Sequence, residues 1–385
     1  MGSTSVDSSA KIPFNRPGFQ GQELTYITQA IEQGHISGNG PFAKRCEDFF
    51  EKRLSIPQAI LVASCTDALE MSALLLDIQP GDEIIVPSFT FVSTLNAFVL
   101  FGAKPVYVDI RPDTLNMDES QLESLITDKT KAIIPVHYAG VACEMDVIMD
   151  IAERHGVPVV EDNAHGFLGK YKGKYLGTFG ALATQSFHET KNVTSGEGGA
   201  LIVNDESMVE RAEIIRDKGT NRSRFFRGQV DKYTWVDLGS SYSPSELVAA
   251  FLYAQLENVD RIQESRKAIW DRYNRELKEW AGAHEVRLPI VPEQCNQAYH
   301  MFYLLLPNGA QRDAFIAHLR DHNISAVFHY IPLHLSDMGQ QLGGAKYSCP
   351  ITVDVSERLV RLPFYNELSP DDKTRVIEAI HRFTF

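Results

Sequence analysis

The sequence has few of the features that mark membrane, secreted and metal-binding proteins. Only five of its 385 residues are cysteines, and no two of them form a C-x-x-C pair. This odd number favours neither a disulfide framework nor a zinc site, and we expect free thiols in a reducing cytoplasm. No uncharged apolar run reaches the roughly 18 residues that a membrane span needs. The polar N-terminus, MGSTSVDSSAK, lacks the apolar core of a secretory signal.

Positive charge is scarce as well. The chain has 37 Lys and Arg residues against 50 Asp and Glu residues, a formal net charge of −13. An acidic chain is a poor binder of nucleic acid, although a local basic pocket for a small anion is compatible with this balance. The fingerprint G-x-G-x-x-G is missing too, because the run at 196–199 reads GEGG and a strand pattern follows it. A nicotinamide-dinucleotide fold is therefore excluded.

Apolar runs alternate with amphipathic stretches through the first two-thirds of the chain. Strand patterns are found at 59–63, 83–86, 104–108, 132–136, 157–160, 181–187 and 200–203. Helical patterns at 67–76, 94–101, 119–126 and 145–155 lie between several of these runs. This alternation predicts a mostly parallel sheet with helices on both faces. The short distance between the last two strand patterns predicts a hairpin at one edge of the sheet.

The pattern changes after one or two long helices predicted at 245–277. Short strands are predicted at 286–288, 299–306 and 326–330, and helices at 312–321, 354–361 and 370–383. We therefore expect a disordered lead at 1–11, a large α/β domain at 12–255 and a smaller α+β domain at 256–385. Because ligands of open α/β sheets bind outside the carboxyl ends of the strands, functional residues are expected just after the strand patterns.

A lysine follows the strand pattern at 181–187. Lys191 lies in the segment SFHETKN, just before glycines that let the backbone fold back around whatever the amine reaches. A partly desolvated lysine in this position can form an imine with a carbonyl compound. The segment alone leaves open a surface position, which is the usual one for lysine.

Two carboxylates end the strand pattern at 157–160. Glu161 and Asp162 are consecutive, so in a strand their side chains face opposite sides and cannot do the same job. We expect one of them to point into the ligand crevice. The alternative for a single acidic residue here is a solvated strand end or a helix cap.

Two further strand ends carry candidate ligand-binding groups. Ser64, Cys65 and Thr66 open a helical pattern, where free N–H groups could hold an anion or a hydroxyl could only cap the helix. Phe89 and Phe91 share one face of an extended segment, so one could stack on a planar ligand or both could be core. An anion cradle, an aromatic platform, a carboxylate and an amine together suit pyridoxal 5'-phosphate (PLP).

With these residues, the chain resembles the DegT/DnrJ/EryC family of nucleotide-sugar aminotransferases. The resemblance begins at about residue 12 and is carried by IPFNRP, LLLDIQPGDEIIVPSFTFVSTLNAFVL, IIPVHYAGVACEMDVIMDIA, SFHETKN, EGGA, KGTNRSRFFRGQVDKYTW, AVFHYIPLH and RLPFYN. It implies an α/β fold of the fold-type I, aspartate aminotransferase-like class. That fold has a large domain with a mostly parallel seven-stranded sheet and a smaller α+β C-terminal domain. The resemblance also implies a homodimer with shared active sites.

The resemblance assigns cofactor roles residue by residue. Lys191 matches the lysine that carries the cofactor, and Asp162 matches the carboxylate paired with its pyridine nitrogen. Phe91 matches the aromatic residue stacked on the ring, and His165 matches the residue beside the ring face and 3-hydroxyl. Cys65, Thr66 and Ser186 match three phosphate-binding positions.

Two positions depart from the family pattern. Asn163 stands where many relatives have Ala, and Ser241 stands where many supply an Asn to the cofactor phosphate of the other subunit. A serine can still donate one hydrogen bond, but its reach is shorter. Ser241 is still expected at the cofactor phosphate of the other subunit, and its shorter side chain is the weak point of this contact.

The resemblance also implies the reaction. The subfamily transfers an amino group from L-glutamate to the C4 ketone of dTDP-4-keto-6-deoxy-D-glucose, giving dTDP-4-amino-4,6-dideoxygalactose for polysaccharide antigen biosynthesis. The C4 epimer, a 3-keto sugar and a UDP- or GDP-linked sugar are alternatives. Lys191 argues against a related dehydratase, which carries His there. A PLP-binding regulator is not favoured, because such regulators usually carry a fused DNA-binding domain and the catalytic pattern starts almost at once.

Five residues are expected to contact the substrate. Arg222 and Arg224 lie in the basic segment 218–227, which either binds the pyrophosphate or is a solvated face. Tyr330 and His334, in FHYIPLH, resemble small-domain residues that approach the sugar, and domain packing is their alternative role. His137 ends another strand pattern and is expected to shape the pocket.

Overall fold

The computed structural model describes residues 10–385, so residues 1–9 of the predicted disordered lead lie outside the described residues. Its helices are α1 Glu23–Glu32, α2 Pro41–Leu54, α3 Cys65–Leu75, α4 Ser93–Val99, α5 Leu122–Leu125, α6 Met145–His155, α7 Val209–Arg216, α8 Arg222–Phe226, α9 Glu246–Leu256, α10 Val259–Ala283, α11 Gly309–Asp321, α12 Asp337–Gln341, α13 Pro350–Arg358 and α14 Pro370–His381. Its strands are β1 Gln58–Val62, β2 Glu83–Pro87, β3 Lys104–Val108, β4 Thr130–Ile133, β5 Val160–Asp162, β6 Lys170–Tyr171, β7 Lys174–Tyr175, β8 Leu182–Ser186, β9 Gly199–Val203, β10 Cys295–Asn296, β11 Tyr303–Leu305 and β12 Leu359–Arg361.

One large sheet organises the first two-thirds of the chain. Its two parts have the strand orders β1-β9-β8-β5 and β3-β2-β4. Parallel bridges between Ile133 and Val159 and between Val136 and Asp162 join them into the predicted seven-stranded sheet. Only β9 runs antiparallel to its neighbours in this sheet. The hairpin of β8 and β9 is present, but its predicted position at the edge of the sheet is wrong. β9 lies between β8 and β1, and β1 forms the edge.

Helices cover both faces of the sheet, as the apolar runs predict. In β1, Ile60 and Val62 pack with the buried face of α3. Ala59 and Leu61, which alternate with them, pack with α2 and α9 on the other side. Because successive strand residues face opposite sides, a strand that is apolar at every position needs two covering layers.

A second core lies in the C-terminal third. It is formed by the antiparallel pair β11–β12 together with α11, α14 and the C-terminal half of α10. The strands predicted at 286–288 and 326–330 are reduced to single bridges, from Arg287 to Leu305 and from Val327 to Arg361. The strand predicted at 299–306 begins only at Tyr303, and Tyr299 has a left-handed backbone with φ of 52°.

Helix α10 connects the two cores. Val259 and Ile262 pack with the large sheet, whereas Ile269 and the apolar residues after it pack in the C-terminal core. Ile12 also packs in the C-terminal core and pairs with Ile324. The boundary near residue 256 stays a prediction, and these contacts show that segments from both predicted domains build the C-terminal core.

The structure also shows the state of the cysteines and the apolar content of the helices. The five cysteines carry free thiols, and four of them are buried. Within residues 10–385, no helix is both long enough and apolar enough to cross a membrane.

Candidate active site

The carboxyl ends of the central strands open into one cavity of about 740 Å³. It is closed on the other side by the C-terminal segment around Tyr330 and Arg361. The structure brings the following sequence-predicted residues to its wall: Cys65, Thr66, Phe91, Asp162, His165, Ser186, Lys191 and Tyr330. Ser241, Arg222, Arg224, His137 and His334 do not line it.

The two carboxylates at the end of β5 have different roles, as their alternation predicts. Asp162 lines the cavity, whereas Glu161 is fully buried on the other side. Glu161 accepts backbone N–H donors from Gly177, Phe179 and Gly180 at 2.6–2.9 Å. Burial alone would raise the pKa of Glu161, but these donors and His137 hold it below its usual value. Glu161 therefore fixes the loop after β7 and takes no part in the cavity.

His137 is a correction to the sequence analysis. Its side chain is fully buried, with Nε2 2.9 Å from Glu161 Oε2 and Nδ1 accepting the N–H of Cys143 at 3.2 Å. Both ring nitrogens are thus used inside the protein. The side chain faces away from the cavity because it shares the buried side of the sheet with Glu161.

The carboxylate of Asp162 is held in one orientation. Thr94 Oγ1 donates to Oδ2 at 2.7 Å, and the N–H of Ala164 donates to Oδ1 at 3.1 Å. Thr90 Oγ1 lies 2.8 Å from Thr94 Oγ1 and extends the chain of hydrogen bonds. A carboxylate held in one orientation in this way can face a cationic ring nitrogen.

Lys191 lies on the turn that follows β8. Its N–H donates to His188 O at 2.9 Å, and the N–H of Phe187 donates to Gly198 O at 2.8 Å, so the chain folds back as the glycines predict. Burial lowers the pKa of Lys191 from 10.5 to about 8, although the nearby Cys65 and Asp162 act in the opposite direction. The neutral amine, which nucleophilic and acid–base chemistry requires, is therefore far more populated near neutral pH than in an ordinary lysine.

The start of α3 offers an anion cradle. Ser64 Oγ accepts the N–H of Asp67 at 3.0 Å. The N–H groups of Cys65 and Thr66 have no helical partners, because they belong to the first turn of the helix. A Cβ at Gly199 would lie 2.4 Å from the carbonyl carbon of Ser64, so only glycine lets β9 pass this close. The positive end of the helix, together with the Ser186 hydroxyl in the same cavity, suits a phosphate.

The thiol of Cys65 is not a competing nucleophile. Burial, and after it the charge of Asp162, raises the pKa of Cys65 to about 12. Because the thiolate is the reactive form, the thiol stays inert at neutral pH. Lys191 is therefore the nucleophile that the cavity provides.

His165 lies in a stack of buried histidines that sequence reasoning missed. Its ring is 4.2 Å from that of His300, with an angle of 17° between the planes, and 6.1 Å from that of His329. Burial lowers the pKa of His165 well below its usual value, so the ring is neutral. Its Nδ1 is buried without a hydrogen-bond partner in the described residues, and Nε2 has only Tyr330 Oη at 3.5 Å.

Asn192 fixes the position of the lysine relative to this stack. Its Nδ2 donates to Ala298 O at 2.6 Å, and its Oδ1 lies 2.9 Å from His300 Nδ1. No sequence motif marks His300, because only the folded chain brings it next to the residue after Lys191. A histidine just before an apolar segment is the only signal it leaves.

The residues of the cavity fit PLP. The helix start can hold its phosphate, Asp162 its ring nitrogen and Lys191 its carbonyl carbon. The unpartnered Nδ1 of His165 is a buried polar atom that needs a ligand, and a ring hydroxyl can supply one. Phe91 is 57% exposed and lines the cavity, so its face is free to meet a planar ring.

The two arginines and Ser241 lie outside this cavity. Arg224 pairs with Glu210 on α7, and the Arg222 guanidinium lies 5.0 Å from the ring centre of Phe226 within α8. Ser241 is exposed, and its backbone forms an antiparallel β-bridge with Asp217. Their predicted contacts are therefore not made to the cavity of the same chain, because α8 is held against α7.

His334 is a second correction. The side chain is buried, and its Nδ1 lies 2.6 Å from Ser88 Oγ just after β2. The N–H of Leu333 also donates to Ser88 O at 2.9 Å. His334 thus fastens the C-terminal segment to the large sheet, the domain-packing role that the sequence left open.

Comparisons with known proteins identify relatives of the whole chain. The model of the DegT/DnrJ/EryC1/StrS aminotransferase family matches residues 18–381. The spore coat polysaccharide biosynthesis protein SpsC of Bacillus subtilis is 33% identical over 377 residues, which are 96% of each chain.

Solved structures show the same fold. The aminotransferase TlmJ from Streptoalloteichus hindustanus has a TM-score of 0.88 at 28% identity and covers 96% of this chain and 97% of its own. The sugar aminotransferase Spr1654 from Streptococcus pneumoniae gives the same TM-score and identity and covers 96% of this chain. Spr1654 was solved in its PMP form and its PLP form, with 96% and 97% of its own chain covered. The fold is thus fold-type I, and PLP is the cofactor.

The lowered pKa of Lys191 predicts how the cofactor-free protein responds to pH. Folding buries a charged amine below about pH 8, and this penalty disappears as the pH rises from about 8 to 10.5. Lys191→Met, which buries no charge, should therefore raise the melting temperature most at pH 7 to 8, and this gain should shrink towards pH 10.5.

Differential scanning calorimetry of the cofactor-free proteins measures this difference in melting temperature between Lys191→Met and wild type at each pH. Lys278→Met is the matched control, because Lys278 is exposed on α10 and its amine stays in water. A Lys191→Met gain that stays constant from pH 7 to pH 10.5 would contradict the assignment of a desolvated amine.

Proposed function

Because the chain belongs to the DegT/DnrJ/EryC1/StrS aminotransferase family, we propose that it transfers an amino group from L-glutamate to the C4 ketone of dTDP-4-keto-6-deoxy-D-glucose. The product is then dTDP-4-amino-4,6-dideoxygalactose. The carrying observation is that Lys191 and Asp162 line the same cavity, next to the anion cradle of α3. The likeness of long segments such as LLLDIQPGDEIIVPSFTFVSTLNAFVL to the subfamily supports the choice of sugar.

The residues of the chain divide the chemical work. PLP, when bound, supplies an electron sink that stabilises negative charge at the carbon attached to the amino group. Asp162 keeps the ring nitrogen protonated, and the start of α3 holds the phosphate. The amine of Lys191, with a pKa of about 8, removes a proton from the α-carbon of glutamate and delivers one to C4 of the sugar. Its position on one side of the cavity sets the stereochemistry at C4.

We also propose that the active enzyme is a homodimer with shared sites. The end of α8 and the segment after it expose large apolar side chains, with Phe226 68%, Trp235 75% and Leu238 64% exposed. A second copy of the chain is the occupant that accounts for this segment. It would also let Ser241 contribute to the partner's site, as predicted, and we propose the same for Arg222 and Arg224, which lie outside their own cavity.

The assignment of Lys191 is tested by borohydride. Reduction of the yellow holoenzyme should fix the cofactor onto Lys191, as read by peptide mass spectrometry. Lys191→Ala should carry no label and lose about 10³-fold or more in kcat, because its proton transfers are lost. Lys174→Ala, at an exposed lysine of β7, is the control and should retain both the label on Lys191 and the wild-type kcat. A label on another lysine would refute the assignment.

The sugar is tested by a panel of substrates. With L-glutamate as donor, turnover should be highest for dTDP-4-keto-6-deoxy-D-glucose, and NMR of the product should show the galacto configuration. Equal or better turnover of a 3-keto sugar, or of a UDP- or GDP-linked sugar, would overturn the choice of substrate. A gluco product would overturn the choice of epimer, and no turnover with any sugar would favour a PLP-binding regulator.

The dimer is tested by sedimentation equilibrium. Wild-type protein should sediment as a dimer at micromolar concentration, and Trp235→Asp should shift it towards the monomer by burying a charge in an apolar contact. Val147→Asp, at an exposed position on α6, is the matched control and should leave the dimer intact. A monomeric wild-type protein with full activity would exclude shared sites.

A further inference from the structure

We propose that His300 positions two groups that meet the cofactor, the amine of Lys191 and the ring of His165, an inference that rests on the proposed aminotransferase function. His300 lies in the cavity wall, in the segment between β10 and β11. None of the motif residues predicted from the sequence includes it. Because it acts through Asn192 and through ring stacking, it is a positioning residue and not a catalytic one.

The contacts of Asn192 determine which nitrogen of His300 carries the proton. Nδ2 of Asn192 donates to Ala298 O at 2.6 Å and to Gln263 Oε1 at 3.0 Å, so the amide is oriented with its Oδ1 towards His300. This oxygen can only accept, and it lies 2.9 Å from His300 Nδ1. Burial lowers the pKa of His300 well below its usual value, so the ring is neutral and carries one proton. That proton is therefore on Nδ1, which donates to Asn192.

Asn192 passes this constraint to the lysine because it is the next residue in the chain. Its carbonyl oxygen accepts from Asn366 Nδ2 at 3.2 Å, so the C-terminal third holds its backbone as well as its side chain. On the other side, the N–H of Lys191 donates to His188 O at 2.9 Å and closes the turn. The position of the Lys191 amine in the cavity thus depends on contacts from a distant part of the chain.

The ring of His300 fixes the ring of His165 at the same time. The two rings are 4.2 Å apart with an angle of 17° between their planes, so a rotation of either ring would break the contact. Nδ1 of His165 is buried without a hydrogen-bond partner in the described residues, and its direction follows from this stack. A single residue therefore orients both the amine that meets the carbonyl carbon of the cofactor and the nitrogen that can meet its ring hydroxyl.

The backbone at His300 has a cost that a packing residue does not need. Tyr299, directly before it, has a left-handed backbone with φ of 52°, which is unfavourable for an aromatic residue. Arg266 holds this conformation, because its Nε donates to Tyr299 O at 2.9 Å and its Nη2 to His300 O at 2.5 Å. Arg266 is itself buried, and burial lowers its pKa to about 9. A strained residue and a buried cation at one loop indicate that the position of this loop has a functional purpose.

Two substitutions separate the hydrogen bond from the stack. His300→Phe keeps an aromatic ring against His165 and removes the donor to Asn192, whereas His300→Asn keeps a donor in the place of Nδ1 and removes the ring. In His300→Phe the saturated rates of both half-reactions should fall about 10²-fold, because the same amine moves the proton in each. The half-saturating concentrations of glutamate and of the keto sugar should change less than about threefold. In His300→Asn both rates should stay within about fivefold of wild type.

The affinity for PMP measures the second role, because PMP forms no bond with Lys191. In calorimetry of the cofactor-free protein, the Kd of PMP should rise about fivefold in His300→Asn, through the loss of one hydrogen bond from a displaced His165. It should change less than about twofold in His300→Phe, which keeps the stack. His318→Phe, at a histidine of α11 outside the cavity whose Nε2 lies 2.8 Å from Ala379 O, is the matched control and should match wild type in rates and Kd.

NMR of the cofactor-free wild-type protein tests the hydrogen bond without any reaction. With isotope-labelled histidine, the signal of His300, assigned by its absence in His300→Asn, should be that of a neutral ring protonated on Nδ1. A proton on Nε2 would overturn the proposal, also where His300→Phe does not fold.

The outcomes distinguish this proposal from the proposed function. Wild-type rates in His300→Phe, or an equal fall of the rates in His300→Phe and His300→Asn, would overturn the role of the hydrogen bond and leave the aminotransferase intact. An unchanged PMP affinity in His300→Asn would overturn the role of the stack. A wild-type enzyme that reacts with no keto sugar would overturn the proposed function, whereas the glutamate half-reaction, the PMP affinity and the NMR signal would still decide the role of His300.

Discussion

The active site depends on the desolvation of one amine in front of a fixed carboxylate. Lys191 has its pKa lowered to about 8 by burial, and Asp162 shares its cavity as a carboxylate held by Thr94 and the N–H of Ala164. This arrangement arises because β5 and β8 are parallel neighbours, so their carboxyl ends lie side by side. The chain after each strand therefore turns over the same space. The rest of the site serves this pair by closing the cavity and fixing the turn that carries Lys191.

Much of this arrangement could be predicted from the sequence. The alternating strands and helices, together with the rule that ligands bind at strand ends, led to Lys191, to one carboxylate of the pair Glu161 and Asp162, and to the helix start at Cys65. The resemblance added the choice of Asp162 and the role of each residue. Both depend on local sequence, because each residue lies at or shortly after the end of an apolar strand.

The rest could not be predicted, because it depends on which distant segments meet. His300, His329 and Arg361 reach the cavity from the C-terminal third, where no strand-end rule applies. His137 was assigned to the pocket because it ends a strand, but its side chain faces Glu161 on the covered side. The position of β9 inside the sheet is likewise a pairing between distant segments.

The C-terminal core thus has a functional as well as a structural role. It supplies the histidine stack behind His165, the contacts of Asn192 next to the lysine, and the guanidinium of Arg361. Arg266 fixes the loop that carries His300, so the two cores jointly set the shape of the cavity. A site built between two cores can accept two chemically different substrates in turn, because each wall contributes different groups.

A crystal structure of the holoenzyme would test the central claim most directly. The account predicts continuous electron density between Nζ of Lys191 and PLP, with a carboxylate oxygen of Asp162 within hydrogen-bond distance of the ring nitrogen. Density that joins PLP to another residue, or an Asp162 turned away from the ring, would contradict it.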